Sequence, residues 1–189
     1  MVVRKVRATT MIIGLTGYAQ SGKDTVAKIL VDNYGYTRVA FADKIRELLY
    51  EMAPKVVLGY DTHSNVQLMV DSFGWDKAKT NPEIRAMLQK LGMGARKVFG
   101  DDFWIKQALA PALKNEKIVV TDVRFTNEAN MVTHFGGQIW RVKRLGVEAV
   151  NDHISESEMD DYKVDQIFVN NGTIEDLESL VKTRMNGLL

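Results

Sequence analysis

The segment after the first apolar run has the residue types and spacing of a phosphate-binding loop. Gly17 and Gly22 are separated by four residues and Lys23 follows, which fits the pattern G-x-x-x-x-G-K. Glycines allow the backbone angles with which successive N–H groups can point at one phosphate. A lysine at this place can neutralise charge on a transferred phosphoryl group, so Lys23 is a candidate catalytic residue. The predicted loop residues are Gly17, Ala19, Gln20, Ser21, Gly22, Lys23, Asp24 and Thr25.

A glycine-rich turn with an incidental lysine is the alternative interpretation of this segment. An apolar strand before it and a helix after it favour the phosphate loop. One position departs from the common pattern, because Asp24 stands where Ser or Thr usually binds Mg²⁺, and Thr25 follows. An aspartate can bind the metal directly or through water, so the sequence leaves open which of these two residues does so.

Asp122 is the second candidate metal ligand. It follows the apolar run KIVVT, and a carboxylate at the carboxyl end of a strand orients hydrated Mg²⁺ in enzymes that have such a loop. A turn or helix-cap aspartate is the alternative. The sequence therefore predicts a Mg²⁺ site at Asp24 and Asp122.

Two pairs of polar residues at helical spacing are candidates for binding a second substrate. Asp43 and Arg46 share one helical face, and Arg85 and Gln89 share another. Asp43 also follows a strand-like segment, at the rim where such sheets bind ligands, and is a candidate catalytic residue. The alternatives are a helix N-terminal acid at Asp43 and a solvated face at Arg85 and Gln89.

The polar stretch from Arg144 to about Asp161 predicts a lid over the phosphates. It is rich in acidic residues, which would keep it solvated, and it lacks a persistent apolar face. Arg144 would enter as the lid closes and neutralise charge on the transferred group. His153 and Glu156 could orient each other and contact the substrate. The alternative for this stretch is a fixed helical hairpin over the sheet edge. For Arg141, which lies just before the stretch, the alternative is a surface position on the strand edge.

Strand-like and helix-like segments alternate, which predicts an α/β fold with a five-stranded parallel sheet and helices on both faces. The predicted strands are Met11–Thr16, Tyr36–Phe41, Ile118–Thr121, Gln138–Lys143 and Val164–Asn170. The predicted helices are Gly22–Tyr34, Asp43–Met52, Pro82–Leu91, Asp102–Leu113, Asn127–Phe135 and Thr173–Met185, the last with Thr173 as N-cap. Residues 54–80 have weak periodicity and are assigned to loops and short helices.

Composition excludes several other classes of protein. A net charge of +1 argues against a general nucleic-acid binder. The absence of cysteine excludes disulfides, thiolate catalysis and cysteine-ligated zinc. No apolar run reaches the roughly 18 residues of a membrane span, and the N-terminal MVVRKVR is a poor signal peptide, expected to be a short tail or an added outer strand. We expect one soluble, cytoplasmic domain.

Several segments together resemble one family. GLTGYAQSGKDTVA, FADKIRELL, IRAMLQKLG, ARKVFGDDFW, TDVRFTNEA, GGQIWRV, HISE and DQIFVNNGTIEDL occur in the order seen in phage-type deoxynucleoside monophosphate kinases, over roughly residues 11–182. The GKDT of this chain looks like that family's own form of the loop.

The resemblance implies a P-loop kinase fold that transfers the γ-phosphate of ATP to a deoxynucleoside monophosphate with Mg²⁺. It implies an acceptor-binding insertion at about residues 54–113, and a host-cytoplasmic location if a phage encodes the protein. Asp43, Arg46, Arg85, Gln89, Arg124, His153 and Glu156 are then the expected substrate-binding residues. ATP and the monophosphate are the expected partners, without a membrane or a nucleic-acid polymer. The oligomeric state stays open, a homodimer included.

Two other functions fit the same residues. The sequence is also similar to dephospho-coenzyme A kinases in its core, including an acidic residue at the Asp43 position, so a kinase of another small metabolite is one alternative. A nucleotide-binding module without catalysis is the other.

Overall fold

The structure is a computed structural model that describes residues 10–59, 62–148 and 157–188. These residues form two units, each described below by itself. Within the described ranges, the sheet unit comprises the residues up to Ala40 and from Leu109 onward, and the inserted unit comprises those from Phe41 to Ala108. The inserted unit begins earlier than the expected insertion at residues 54–113, because the helix that starts at Phe41 packs against later helices of the same unit.

The sheet unit contains the five-stranded parallel sheet that the alternating pattern predicts. Its strands are β1 (Met11–Thr16), β2 (Thr37–Val39), β5 (Lys117–Val120), β6 (Gln138–Lys143) and β7 (Gln166–Val169). They lie side by side in the order β2-β5-β1-β6-β7, so β1 is central.

Helices cover both faces of this sheet, as alternation along β1 requires. Ile13 and Leu15 are buried in the core cluster that also includes residues of α1 (Lys23–Tyr34) and α7 (Ile174–Asn186). Gly14 points the other way, and a β-carbon there would lie 3.5 Å from Val132 of α6 (Thr126–His134). Thr173 caps α7 by accepting a hydrogen bond from the N–H of Asp176, which confirms the predicted N-cap.

The inserted unit contains a β-hairpin that the sequence analysis missed. Strands β3 (Lys55–Gly59) and β4 (Thr62–Asn65) pair antiparallel, and α3 (Val66–Ala78) follows directly, so the assignment of residues 54–80 to loops and short helices was wrong. Val56 is fully buried and its neighbour Val57 is exposed, which is strand alternation too short to stand out from the sequence. Val56 packs in a second core cluster, whose buried members are Leu49, Val56, Val66, Ala78 and Ile84.

Three further helices were predicted, and the bounds of two of them need correction. They are α2 (Phe41–Met52), α4 (Pro82–Phe99) and α5 (Phe103–Ala112). The predicted second strand ended at Phe41, but Phe41 is the first residue of α2. The predicted end of α4 at Leu91 was wrong, because the helix continues through Gly92, whose carbonyl accepts a 2.9 Å hydrogen bond from the indole N–H of Trp104. Within the described ranges, no helix is long and apolar enough to cross a membrane.

Candidate functional site

The order of the strands creates a crevice at the carboxyl end of β1. After β5 is added on one side of β1, the chain crosses to add β6 on the other side. Open sheets with such a reversal bind ligands outside the carboxyl ends of the strands at that point. The segments that follow β1, β5 and β6 are residues 17–25, 121–124 and 144–148, which contain most of the predicted site residues.

Two glycines allow the phosphate loop to pack closely against the ends of other strands. Gly17 has a φ of 131°, and a β-carbon there would lie 2.2 Å from the carbonyl oxygen of Val142 on β6. Gly22 has a φ of 109° immediately before α1, and its β-carbon would lie 2.4 Å from the side-chain nitrogen of Asn170. That nitrogen donates a 2.9 Å hydrogen bond to the carbonyl of Ser21. Larger residues would displace the loop from both supports.

Lys23 brings its positive charge to the loop itself. Its Nζ donates hydrogen bonds to the carbonyls of Gly17 at 2.7 Å and Tyr18 at 2.6 Å. The N–H of Ser21 also donates to the Tyr18 carbonyl, at 3.3 Å, and Gln20 takes a left-handed φ of 64°. The ammonium and the N-terminus of α1 therefore act at the same place, which suits an anion.

A first cavity of about 330 Å³ lies between the phosphate loop and the segment that follows β7. Its lining residues are Gln20, Gly22, Lys23, Asp24, Thr25, Arg144, Asn170, Gly172, Thr173, Ile174 and Leu177. The sequence analysis predicted the loop residues and Arg144, but it missed the part of the wall after β7. The polar run NNGT after an apolar strand was the available signal.

A second cavity of about 320 Å³ lies on the other flank of the loop. It is lined by Thr16, Gly17, Tyr18, Ala19, Ser21, Val123, Arg124, Arg141, Val142, Lys143, Arg144, Val147, Met159 and Asp160. Among the described residues, Arg144 alone lines both cavities. The phosphate loop thus separates two cavities, and one arginine reaches both.

The second cavity is cationic, but its basic residues differ in their surroundings. Four basic side chains line it against one carboxylate, that of Asp160. The guanidinium of Arg141 donates hydrogen bonds to the carbonyls of Met159, Asp160 at 2.9 Å and Tyr162 at 3.0 Å. The half-buried Arg141 therefore links β6 to the segment 157–162, which we call the return segment, and is more than a surface residue of the strand edge.

The return segment has further attachments to the sheet unit. The carboxylate of Glu158 accepts hydrogen bonds from the N–H and the hydroxyl of Thr126, at 2.8 and 2.9 Å. The hydroxyl of Tyr162 donates to the side chain of Asn130 at 3.0 Å. The sequence analysis expected the acidic residues of this stretch to keep a lid solvated, but Glu158 bonds to Thr126 instead. The lid itself stays a prediction.

The phenol of Tyr18, in the phosphate loop, donates a 2.7 Å hydrogen bond to the carboxylate of Asp160. This hydrogen bond, and then burial, raise the pKa of Tyr18 above its ordinary value. The neutral phenol is therefore the donor near neutral pH. Any stabilisation from this bond is present below the ordinary pKa of tyrosine and is lost as pH rises through the raised pKa.

A buried carboxylate fixes the segment that carries Asp122 and Arg124. Glu128, only 4% exposed, accepts hydrogen bonds from the backbone N–H groups of Arg124 at 2.8 Å and Phe125 at 3.1 Å. The N–H of Val123 bonds to the carbonyl of Leu15 at 3.0 Å, next to the phosphate loop. The sequence analysis missed Glu128, although a glutamate three positions after the N-cap residue, here Phe125, is part of a capping signal.

Of the residues predicted to bind the second substrate, Arg124 lines the second cavity, and the others lie in the inserted unit or outside the described ranges. Asp43 and Arg46 form an ion pair with 3.0 Å between Oδ1 and Nη1, so they do share one helical face. Arg85 and Gln89 lie four residues apart in α4, and their role stays a prediction. His153 and Glu156 lie outside the described residues.

The donor set around the loop fits Mg²⁺. Asp24 and Thr25 line the first cavity and Asp122 follows β5, so the available ligands are carboxylate and hydroxyl oxygens. In the described residues no group of three or more histidine, cysteine and acidic side chains could hold a metal. Mg²⁺ does not require one, because it is usually held by one or two carboxylates together with substrate phosphates and water.

Comparison with solved structures identifies the fold that carries this site. Dephospho-CoA kinase from Campylobacter jejuni superposes with a TM-score of 0.50 at 13% identity, over 95% of this chain and 96% of that one. Shikimate kinase from Aquifex aeolicus gives 0.47 at 13% identity, over 94% and 97%. With the phosphate loop at the end of β1, the fold is that of the P-loop kinases.

Sequence comparison identifies the family within that class. The model of the family described as "Deoxynucleotide monophosphate kinase" matches residues 60–181. The protein named "Putative deoxynucleotide monophosphate kinase" of Acanthamoeba polyphaga mimivirus is 30% identical in an alignment of length 186 that covers 90% of this chain and 94% of the relative. The chain belongs to the deoxynucleotide monophosphate kinase family and is therefore a phosphotransferase, which confirms the resemblance seen in its motifs.

The close approach at Gly17 leads to a first prediction. Gly17→Ala should lower the thermal midpoint more than Gly35→Ala, because both residues have positive φ but only Gly17 has a neighbour within 4 Å of the added carbon. A β-carbon at positive φ strains the backbone in both variants, and Gly17→Ala adds the close contact with Val142. Differential scanning fluorimetry of the two variants measures the difference, and equal midpoints would contradict the packing role of Gly17.

Proposed function

We propose that the protein transfers the γ-phosphate of ATP to a deoxynucleoside monophosphate, giving ADP and a deoxynucleoside diphosphate. Membership of the family supports a nucleotide kinase. The observation that carries the finer proposal is the position of Arg144 in both cavities beside the phosphate loop. A transferred phosphoryl group passes between a donor and an acceptor, so a cation that reaches both sides can stay with it throughout.

The first cavity is the proposed donor site. Its loop residues and Lys23 would hold the ATP phosphates at the N-terminus of α1, where backbone N–H groups and the macrodipole favour an anion. The wall from Asn170 to Thr173 would then lie against the nucleoside of ATP. Asn170 would position this wall against the loop, because its side chain donates a hydrogen bond to the carbonyl of Ser21.

The second cavity is the proposed site of the acceptor phosphate. Arg124 and Lys143 line it with Arg144, and arginine matches a phosphate with its planar fork of donors. In the reaction, an oxygen of the acceptor phosphate forms a bond to the γ-phosphorus as the bond to the ADP oxygen breaks. Negative charge on the transferred group is then shared between Lys23 and Arg144, which is the main contribution that such enzymes make.

Asp24 and Asp122 are the proposed Mg²⁺ ligands, with Thr25 as a further oxygen donor. Bound there, the ion would neutralise charge on the phosphate oxygens. Lys23 would contact phosphate oxygens directly, whereas Asp24 would act on them only through the ion that it holds.

A screen of acceptors tests the proposal. ADP formation is measured with ATP and Mg²⁺ against deoxynucleoside monophosphates, ribonucleoside monophosphates, dephospho-coenzyme A and no acceptor. We expect turnover that depends on a deoxynucleoside monophosphate. Lys23→Ala should lower it by at least about a hundredfold, whereas Lys28→Ala, in the same helix with a 76% exposed side chain, should leave it unchanged.

Other results of the screen would contradict the proposal in distinct ways. Turnover only with dephospho-coenzyme A would show that this compound, and not a deoxynucleoside monophosphate, is the acceptor. ATP binding without any effect of an acceptor would indicate a nucleotide-binding module without catalysis. Normal turnover in folded Lys23→Ala would exclude the phosphate-loop mechanism.

Arg144 should act on the chemical step more than on binding. Arg144→Ala should lower kcat by about a hundredfold or more, with smaller changes in both KM values, because the lost charge matters most when the phosphoryl group is in transit. Steady-state kinetics with both substrates varied measures this. Lys182→Ala, which removes an exposed cation of α7, is the matched control. A wild-type kcat in Arg144→Ala would remove Arg144 from the mechanism.

Replacing a metal ligand should raise the Mg²⁺ concentration that the enzyme requires. Asp24→Asn and Asp122→Asn should each raise the Mg²⁺ concentration at half-maximal rate, because each loses one charged oxygen ligand. The rate is measured over a Mg²⁺ series at saturating substrates. An unchanged series in both variants would make the two carboxylates structural.

A further inference from the structure

Tyr18 connects two groups of the phosphate loop to a residue outside the loop. Its carbonyl accepts hydrogen bonds from the Nζ of Lys23 at 2.6 Å and from the N–H of Ser21 at 3.3 Å. Its side chain leaves the loop and donates to Asp160 at 2.7 Å, across 142 positions of the chain. The backbone group that orients the lysine thus belongs to a residue whose side chain is held from outside the loop.

Asp160 can serve as an anchor because its segment is fixed without it. Arg141 binds three carbonyls of the return segment, and Glu158 and Tyr162 bind Thr126 and Asn130. Met159, between the two acidic residues, is 5% exposed. The return segment therefore keeps its attachments to β6 and α6 when the Tyr18 contact is removed.

We propose that Asp160 is a positioning residue, which holds the phosphate loop in its ATP-binding conformation through the phenol of Tyr18. The inference rests on the proposed function for its kinetic consequences. The loop contains backbone angles that are unfavourable for a non-glycine residue, as at Gln20, so external contacts must hold it. Without the bond, Tyr18 and the two groups that bind its carbonyl would be free to shift, and part of the binding energy of ATP would be used to order them.

The sign of the effect separates positioning from simple electrostatics. Asp160 lines a cavity with four basic residues, so deleting its charge should strengthen the binding of an anion if charge were its whole role. Positioning predicts the opposite, weaker binding of ATP. Asp161→Ala deletes an adjacent exposed carboxylate and serves as the control for charge.

The test is a double-mutant cycle on ATP affinity. The Kd for ATP is measured by calorimetry without acceptor, and kcat and the KM for ATP with acceptor, in Tyr18→Phe, Asp160→Ala and the double variant. Each single change should raise the Kd by about threefold to tenfold, as for one hydrogen bond to a charged group in a partly exposed place. The double variant should bind no more weakly than the weaker single variant. Asp160→Asn, whose amide oxygen can still accept from the phenol, should recover part of the affinity.

Tyr162→Phe is the matched control for the hydrogen bond itself. It removes a phenol donor from the same return segment, at Asn130 instead of the loop, and should leave the Kd for ATP unchanged. Thermal midpoints of all variants exclude unfolding as the cause. In Asp160→Ala the pKa of Tyr18 should also fall toward its ordinary value, seen as phenolate absorbance at lower pH.

Several results would overturn the positioning role. They are an unchanged or lower Kd in Asp160→Ala, additive effects in the double variant, and a Kd in Tyr162→Phe raised as much as in Tyr18→Phe. A wild-type protein without acceptor-dependent turnover would instead contradict the proposed function, and the calorimetric cycle would still decide whether Asp160 positions the loop.

Discussion

The position of the phosphate loop depends on a shortage of space at one residue. The carbonyl oxygen of Val142 lies so near Gly17 that a β-carbon there would come within 2.2 Å of it. Backbone therefore packs on backbone where β1 ends beside β6. The loop starts at a fixed height above the sheet, and Lys23, six residues later, returns its ammonium to the carbonyl of Gly17. A side chain at this point would move the loop and its cation away from the ends of the other strands.

The strand order places two further segments of the chain beside the phosphate loop. Because β1 lies between β5 and β6, the segments after those strands border the loop on two sides. Glu128 holds one of them through two backbone N–H groups, and the hydrogen bond from the N–H of Asn170 to the carbonyl of Lys143, 2.8 Å long, fixes the start of the other. The cavities on the two flanks thus have walls that are tied to the sheet by backbone hydrogen bonds, which a preorganised phosphate site requires.

The sequence predicted what depends on local spacing and missed what depends on distant contacts. The run from Gly17 to Thr25 could be recognised because its chemistry lies in consecutive residues, and the strands of the large sheet because each is apolar and bounded by turns. The hairpin β3–β4 was missed since its alternation is short. The helix α4 was ended too early, because Gly92 suggests a stop that its packing against Trp104 removes. The bond between Tyr18 and Asp160 has no local signal, as 142 positions separate the two residues.

Three basic residues close together in the sequence also show that distant contacts decide what local spacing cannot. Arg141, Lys143 and Arg144 look equivalent as a cluster, yet their positions along β6 give them different surroundings. Arg141 lies within the strand, on the face opposite the buried Val142, and its guanidinium binds the carbonyls of the return segment. Arg144 is the first residue past the strand, so its side chain is not committed to a sheet face and lines both cavities. A strand that ended one residue later would place Arg144 within the sheet. The end of β6 therefore separates an arginine that supports the fold from one that is available to phosphate.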